Sequence, residues 1–194
     1  MTVDSDLELM LRVRGGDSDS FELLLRRHRA PLINYFLRLL RDPGLAEDLS
    51  QEVFLRVYQA RHRYQPEAQF KTWLYRIATN LALNTIRDRK PRQTLCVTAD
   101  DQDGVSPVER VADQRPTAEH SLMADDRQRI IREAVEALPE KQRTAVILHK
   151  YQEVDYRQIG KILNLSDSAV KSLLFRAYET LRCRLEPLLR GGHL

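Results

Sequence analysis

The chain has 194 residues, 42% of them hydrophobic and 30% charged, with seven Gly and eight Pro. This balance excludes a disordered chain and a turn-rich β architecture, and it supplies cores for one domain or two small ones built from helices. The net charge is only +3, so attraction to an acidic partner depends on how the charges are grouped rather than on their sum.

The grouping is pronounced. Arg61 to Arg92 carries eight Lys or Arg against two acids, Asp42 to Glu52 carries four acids and no base, and Thr94 to Asp126 carries eight acids against two bases. The opening stretch MTVDSDLELMLRVR has acids where a signal peptide has basic residues, and no 18-residue apolar run occurs. The expected location is therefore the cytoplasm, with no membrane insertion. Cys96 and Cys183 lie far apart with no CxxC or paired-His spacing; they read as free thiols, and neither a metal nor a cofactor is expected.

In chain order, Asp4 or Ser5 caps a short helix that Gly15 and Gly16 end, and Asp17 or Ser18 caps the next. That second helix places Phe21, Leu24, Leu25, Leu32, Tyr35, Phe36 and Leu39 at core spacing, with Pro31 expected to kink it. Asp42 followed by Pro43 starts a third helix reaching about His62, and Phe70 to Lys90 makes a fourth with Phe70, Leu74, Ile77 and Leu81 on one face. Residues 1–92 then form a first domain. Residues 93–124 lack aromatics and any apolar period, and read as an acidic flexible linker. In the second domain, 125–190, helices are expected over roughly Asp125 to Leu138, Glu140 to Tyr151, Asp155 to Leu163 and Ser166 to Leu185. The last two meet across Asn164-Leu165-Ser166, the length and tight turn of a helix-turn-helix. The expected fold is all-α, two small helical domains with the helix-turn-helix in the second.

Three stripes carry chemistry. Asp48, Gln51, Glu52 and Leu55 share one side of the third helix, while Leu45, Leu49, Val53 and Val57 share another. The first stripe reads either as a solvated acidic face or as a protein interface, the latter favoured by Leu55 with Phe54 and Tyr58 beside it. In the fourth helix Trp73, Arg76, Asn80, Asn84 and Arg87 align away from the apolar face. A π-face stacks an unpaired base, Arg neutralises phosphate and Asn bonds base edges, so this suits single-stranded nucleic acid; Trp73 as a plain core residue is the alternative. In the last helix Val170, Leu173, Leu174, Ala177 and Leu181 turn inward, leaving Ser168, Lys171, Ser172, Phe175 and Arg176 to face a major groove. Helix-turn-helix patterns also occur in folds that never touch DNA. No nucleophile-base pair or phosphate loop is present in the sequence, so no enzymatic activity is expected.

The segments RDPGLAEDLSQEVFLRVYQA, FKTWLYRIATNLALNTIRDRK and LPEKQRTAVILHKYQEVDYRQIGKILNLSDSAVKSLLFRAYETL, in this order and separation, resemble extracytoplasmic-function (ECF, group IV) sigma factors of the sigma-70 family. The resemblance implies that Asp42, Glu47, Asp48, Gln51, Glu52 and Leu55 bind the clamp helices of the largest subunit of core RNA polymerase. It implies that Arg63, Lys71, Trp73, Arg76, Asn80, Asn84, Arg87 and Arg89 capture the −10 element as a single strand. It further implies that Ser166, Ser168, Lys171, Ser172, Phe175 and Arg176 read the −35 duplex, and that an anti-sigma factor is a partner. The sequence departs from the commonest family pattern at Leu173, Tyr178 and Asn164. A stand-alone helix-turn-helix regulator remains an alternative, as does a protein-only adaptor; neither uses both the acidic stripe and the aromatic-cationic one.

Overall fold

A computed structural model describes residues 5–66, 69–93 and 118–190, and among them the chain forms eight α-helices and one 3-10 turn with no strand. The helices are α1 (Asp6–Arg14), α2 (Ser18–Leu40), α3 (Pro43–Gln59), α4 (Phe70–Gln93), α5 (Ala118–Glu136), α6 (Glu140–Tyr151), α7 (Tyr156–Leu163) and α8 (Asp167–Arg190), with the 3-10 turn at Arg61–Arg63. Residues 94–117, the greater part of the expected linker together with Cys96, lie outside the described residues. α5 begins at Ala118, seven residues before the start expected near Asp125, so 118–124 is helical. α3 stops short of His62 because the chain tightens into the 3-10 turn, and α8 runs past Leu185 to Arg190.

Helix starts follow side-chain capping. The Ser5 hydroxyl accepts from the Glu8 amide while the Glu8 carboxylate accepts from the Ser5 amide, a reciprocal box satisfying two otherwise orphaned donors. Asp17 accepts from the amides of Asp19 and Ser20, and Asp42 accepts from the Leu45 amide at 2.9 Å, with Pro43 where no amide is needed. α2 continues through Pro31 as one 23-residue element.

The first bundle packs α2 against α1 and α3, with α4 closing it. Leu9, Met10 and Val13 of α1, Leu24, Leu32, Tyr35 and Phe36 of α2, Val53 and Val57 of α3, and Phe70, Leu74 and Ala78 of α4 are buried. Each large aliphatic or aromatic member contributes about 1.5–3 kcal/mol by leaving water. Tyr64, just after the 3-10 turn, is buried as well, its ring edge-on to Phe70 and tilted against Trp73, which fixes the loop to the start of α4.

The second bundle is α5 to α8, and α6 buries five consecutive residues, Thr144 to Leu148. A helix is buried all round only when it has partners on both sides, and α6 has α8 on one and α2 of the first bundle on another. The two bundles are thus packed against each other, through α2 with α6 and through α4 with α7.

The helix-turn-helix is built from α7 and α8. Asp155 and Gln158 make a second reciprocal capping box, Asn164 ends α7 in the left-handed conformation at φ 56°, and Ser166 accepts from the Ala169 amide to start α8. The turn is closed by the Leu165 amide donating to the Gly160 carbonyl at 2.9 Å. A Cβ at Gly160 would lie 2.8 Å from the Leu165 carbonyl oxygen, so the tight approach of the turn to α7 requires glycine there.

Candidate functional site

On α3, packing against α2 and α4 takes Val53 and Val57 inside, which leaves Glu47, Asp48 and Gln51 exposed and Leu55 51% exposed. Glu52 is partly covered and accepts from Arg56 one turn on at 2.7 Å. Phe54, expected beside Leu55 on the outer face, is only 5% exposed: its ring meets Phe21 edge-on and belongs mainly to the core. Tyr58 remains exposed over Phe21. Phe21, Leu25, Arg29, Ser50, Gln51, Phe54, Leu55 and Tyr58 line a groove of about 430 Å³ between α2 and α3, apolar along its floor. The buried Ser50 hydroxyl has no hydrogen-bond partner among the described residues. An acidic rim beside an apolar groove is an arrangement that suits a protein interface.

Asp42 stands apart from that stripe. Its carboxylate is held below the ordinary range, first by the Leu45 amide and then by the Arg89 guanidinium, which donates at 2.9 Å. Asp42 and Arg89, expected to serve polymerase and DNA respectively, are therefore paired with each other.

On α4, Arg76, Asn80, Asn84 and Arg87 form an exposed line, with Arg87 donating to Asn84 at 3.2 Å. Trp73, at its N-terminal end, is half-buried, its ring 5.2 Å from that of Tyr64 and 6.3 Å from that of Phe70. One side of the ring packs and the other stays open. Arg63 on the 3-10 turn is exposed and Lys71 is partly so. The result is a cationic, hydrogen-bonding strip with an aromatic end, suited to unpaired bases and their phosphates.

On α8, Val170, Leu174 and Ala177 are buried, and Leu173 and Leu181 pack against them. Ser166, Ser168, Lys171, Ser172 and Arg176 are exposed, and Phe175, at 66%, is the most exposed large hydrophobic side chain among the described residues. Leu173 and Arg176 flank a shallow hollow with Ser168, Ala169 and Ser172. Tyr178 is not on this face: its hydroxyl shares a 2.7 Å hydrogen bond with His149 Nδ1, which ties α8 to α6. Burial pushes the Tyr178 phenol up to about 12. Leu173 and Tyr178 thus serve packing.

An acidic edge beside an apolar groove, a cationic strip with an aromatic end and the exposed face of a helix-turn-helix, on separate elements of one all-α chain, fit the class of helical nucleic-acid-binding proteins. Residues 24–92 match the family model for sigma-70 region 2, and residues 128–181 match that for sigma-70 region 4. The chain is 31% identical to the RNA polymerase sigma-H factor of Pseudomonas aeruginosa, over 98% of both chains. It is 30% identical to the ECF RNA polymerase sigma factor SigW of Bacillus subtilis, over 94% of this chain and all of that one. The sigma factor RpoE of Bartonella quintana, solved in complex with the anti-sigma factor NepR, has the same fold, with a TM-score of 0.66 at 20% identity over 86% of this chain and 96% of that one. The chain belongs to the extracytoplasmic-function sigma factors of the sigma-70 family. It is a transcription initiation factor that binds core RNA polymerase and directs it to promoters, and it is not an enzyme.

Among the described residues no helix is long and apolar enough to cross a membrane. Sequence reasoning missed the 3-10 turn, Tyr64 and the contact between the bundles. The five-residue buried run of α6 was the available signal for the last of these, because one partner helix does not cover it.

Proposed function

We propose that the three exposed surfaces divide the work of initiation. Asp48, Gln51, Glu52 and Leu55, with Glu47 at the edge and the groove beside them, hold the clamp helices of the largest polymerase subunit. The strip from Trp73 to Arg87, with Arg63 and Lys71 before it, captures the −10 element as a single strand. Removing a base from the stack costs a few kcal/mol, which an aromatic platform and cations offset. Ser166, Ser168, Lys171, Ser172, Phe175 and Arg176 read the −35 duplex. On this reading 1–92 and 125–190 act as the two functional units, and the protein works in the cytoplasm beside the polymerase. A soluble or membrane-linked anti-sigma factor covers the polymerase-binding surfaces, as NepR pairs with RpoE in the Bartonella quintana complex.

One observation carries the assignment: packing leaves all three surfaces exposed while burying their opposite faces. The test is reconstitution with core polymerase on a matching promoter. Asp48→Asn with Glu52→Gln abolishes initiation and binding to core while thermal stability stays within about 0.5 kcal/mol, as for surface changes. Full initiation by that double variant places the polymerase contact elsewhere.

A further inference from the structure

The exposed face of α8 is not uniform. Ala169, Leu173 and Arg176 recur at helical spacing along one flank, and Lys171 and Phe175 along the other. The second flank projects a cation and a ring into solvent. The first is concave, where Ala169, Leu173 and Arg176 with Ser168 and Ser172 line an open hollow of about 270 Å³. From Ser168 to Arg176 the helix rises about 12 Å, the width of a major groove. One turn further on, the exposed Glu179 carboxylate opposes phosphate, so close contact with DNA ends near Arg176.

The hollow is less polar than its residues suggest. The Ser172 hydroxyl donates to the Ser168 carbonyl at 3.0 Å, Ser168 Oγ lies 3.1 Å from Ser166 Oγ, and Ser166 Oγ accepts from the Ala169 amide at 3.2 Å. Both hydroxyls of the hollow are thus engaged within the first turns of the helix. Hydrocarbon comes from the Ala169 methyl and from Leu173, which packs on the core and stays partly exposed. A long cationic side chain at 173 would occupy this space; leucine keeps it open. Arg176 supplies the one cationic donor of the lining. In the major groove guanine offers O6 and N7 to a single guanidinium, whereas the C5 methyl belongs to thymine alone and forms no hydrogen bond. Hydrocarbon beside a guanine-binding arginine is therefore matched by a thymine at the neighbouring base pair.

We infer that the hollow of Ala169, Ser172, Leu173 and Arg176 is a methyl-reading subsite, which takes the C5 methyl of a thymine adjacent to the guanine that Arg176 holds. Leu173 is then a specificity-determining residue for the upstream element. This rests on the proposed reading of the −35 duplex by α8. The methyl acts through hydrocarbon alone, so its removal lowers affinity about fourfold, the worth of one methyl leaving water, and leaves the salt dependence unchanged. Loss of a phosphate contact would instead lower the salt dependence.

Duplexes selected from a randomised pool by the full chain bound to core polymerase supply the probe. Each thymine of the upstream motif is then replaced singly by deoxyuracil, which removes the methyl and keeps the base pair. One replacement, beside a guanine, weakens binding about fourfold at every salt concentration. Ser172→Leu fills the hollow from its exposed side, so that variant binds the thymine and uracil duplexes equally while melting as the parent does. Leu173→Arg, which fills it from the other wall, also removes the difference. Three results overturn the subsite: uracil tolerated at every thymine, a selected motif with no thymine beside its guanine, or a methyl effect that survives Ser172→Leu. Should that surviving effect vanish in Phe175→Ala, the methyl is read by the aromatic flank instead. If selection returns no upstream motif, or Arg176→Ala binds the selected duplex as the parent does, the −35 assignment of α8 falls and the subsite with it. Loss of binding in Arg176→Ala with uracil tolerated throughout removes the subsite alone.

Discussion

Gly160→Ala separates two opposite expectations. At an open position inside a helix, alanine stabilises by about 0.8–1 kcal/mol over glycine because it loses less backbone freedom on folding. At Gly160 the new methyl would stand 2.8 Å from the Leu165 carbonyl oxygen and 3.5 Å from Asp167 Oδ1, where ordinary contact begins near 3.4 Å. The obstructing atom is backbone, in a turn already closed by the Leu165 amide on the Gly160 carbonyl. A displacement of about 0.6 Å therefore has to move the turn itself. Overpacking of this kind costs about 3 kcal/mol at its upper end, leaving a net loss of about 2 kcal/mol after the helix gain. For a chain of this size that is a fall in Tm of about 4–8 °C. The displaced segment carries Ser166, which caps α8, so duplex −35 affinity falls as well while single-strand −10 binding does not. Calorimetric melting and two binding titrations read these effects. A rise in Tm, with −35 binding intact, refutes the close approach at this turn.

Four further outcomes follow from the same structure. Phe175→Ala leaves the melting temperature unchanged, since the ring is mostly exposed, but costs about 1–3 kcal/mol of −35 discrimination in competition with altered duplexes; Arg176→Ala weakens upstream-element binding and leaves core binding intact. Asp42→Ala removes the α3 cap and the partner of Arg89, lowering stability by about 1 kcal/mol in a denaturant titration, with the larger part traceable to the cap. His149 is held below its ordinary pKa, first by burial and then by Lys150. Its neutral form is the one the fold favours, so its contribution is present above the unfolded value of about 6.5 and is lost as pH falls through that value toward the folded one. Melting His149→Gln beside the parent from pH 8 to pH 5 should show the shallower acid-side decline in the variant.

Much of the fold was legible because its signals are local. Ser5, Asp42 and Asp155 each accept from an amide three residues on, so a linear reading finds these helix starts. The inward sets of α4 and α8 follow from a period that needs no knowledge of partners. The outward sets were found the same way, and the Arg76 to Arg87 strip and the α8 face are exposed where periodicity put them. The reading slipped where a residue's neighbours are distant in sequence. Phe54 goes inward because Phe21 is there to receive it.

By itself, then, the sequence determined the helices, their caps, the helix-turn-helix and the three stripes, all of which depend on interactions within a turn or two of backbone. Only the tertiary structure decided which face of α4 stays exposed and which is taken by α7, that α6 is covered on both sides, and that Gln152 reaches Tyr75 and Pro31. Those outcomes depend on two separately formed bundles meeting. A polar residue in a linear pattern looks the same whether water or another helix will satisfy it.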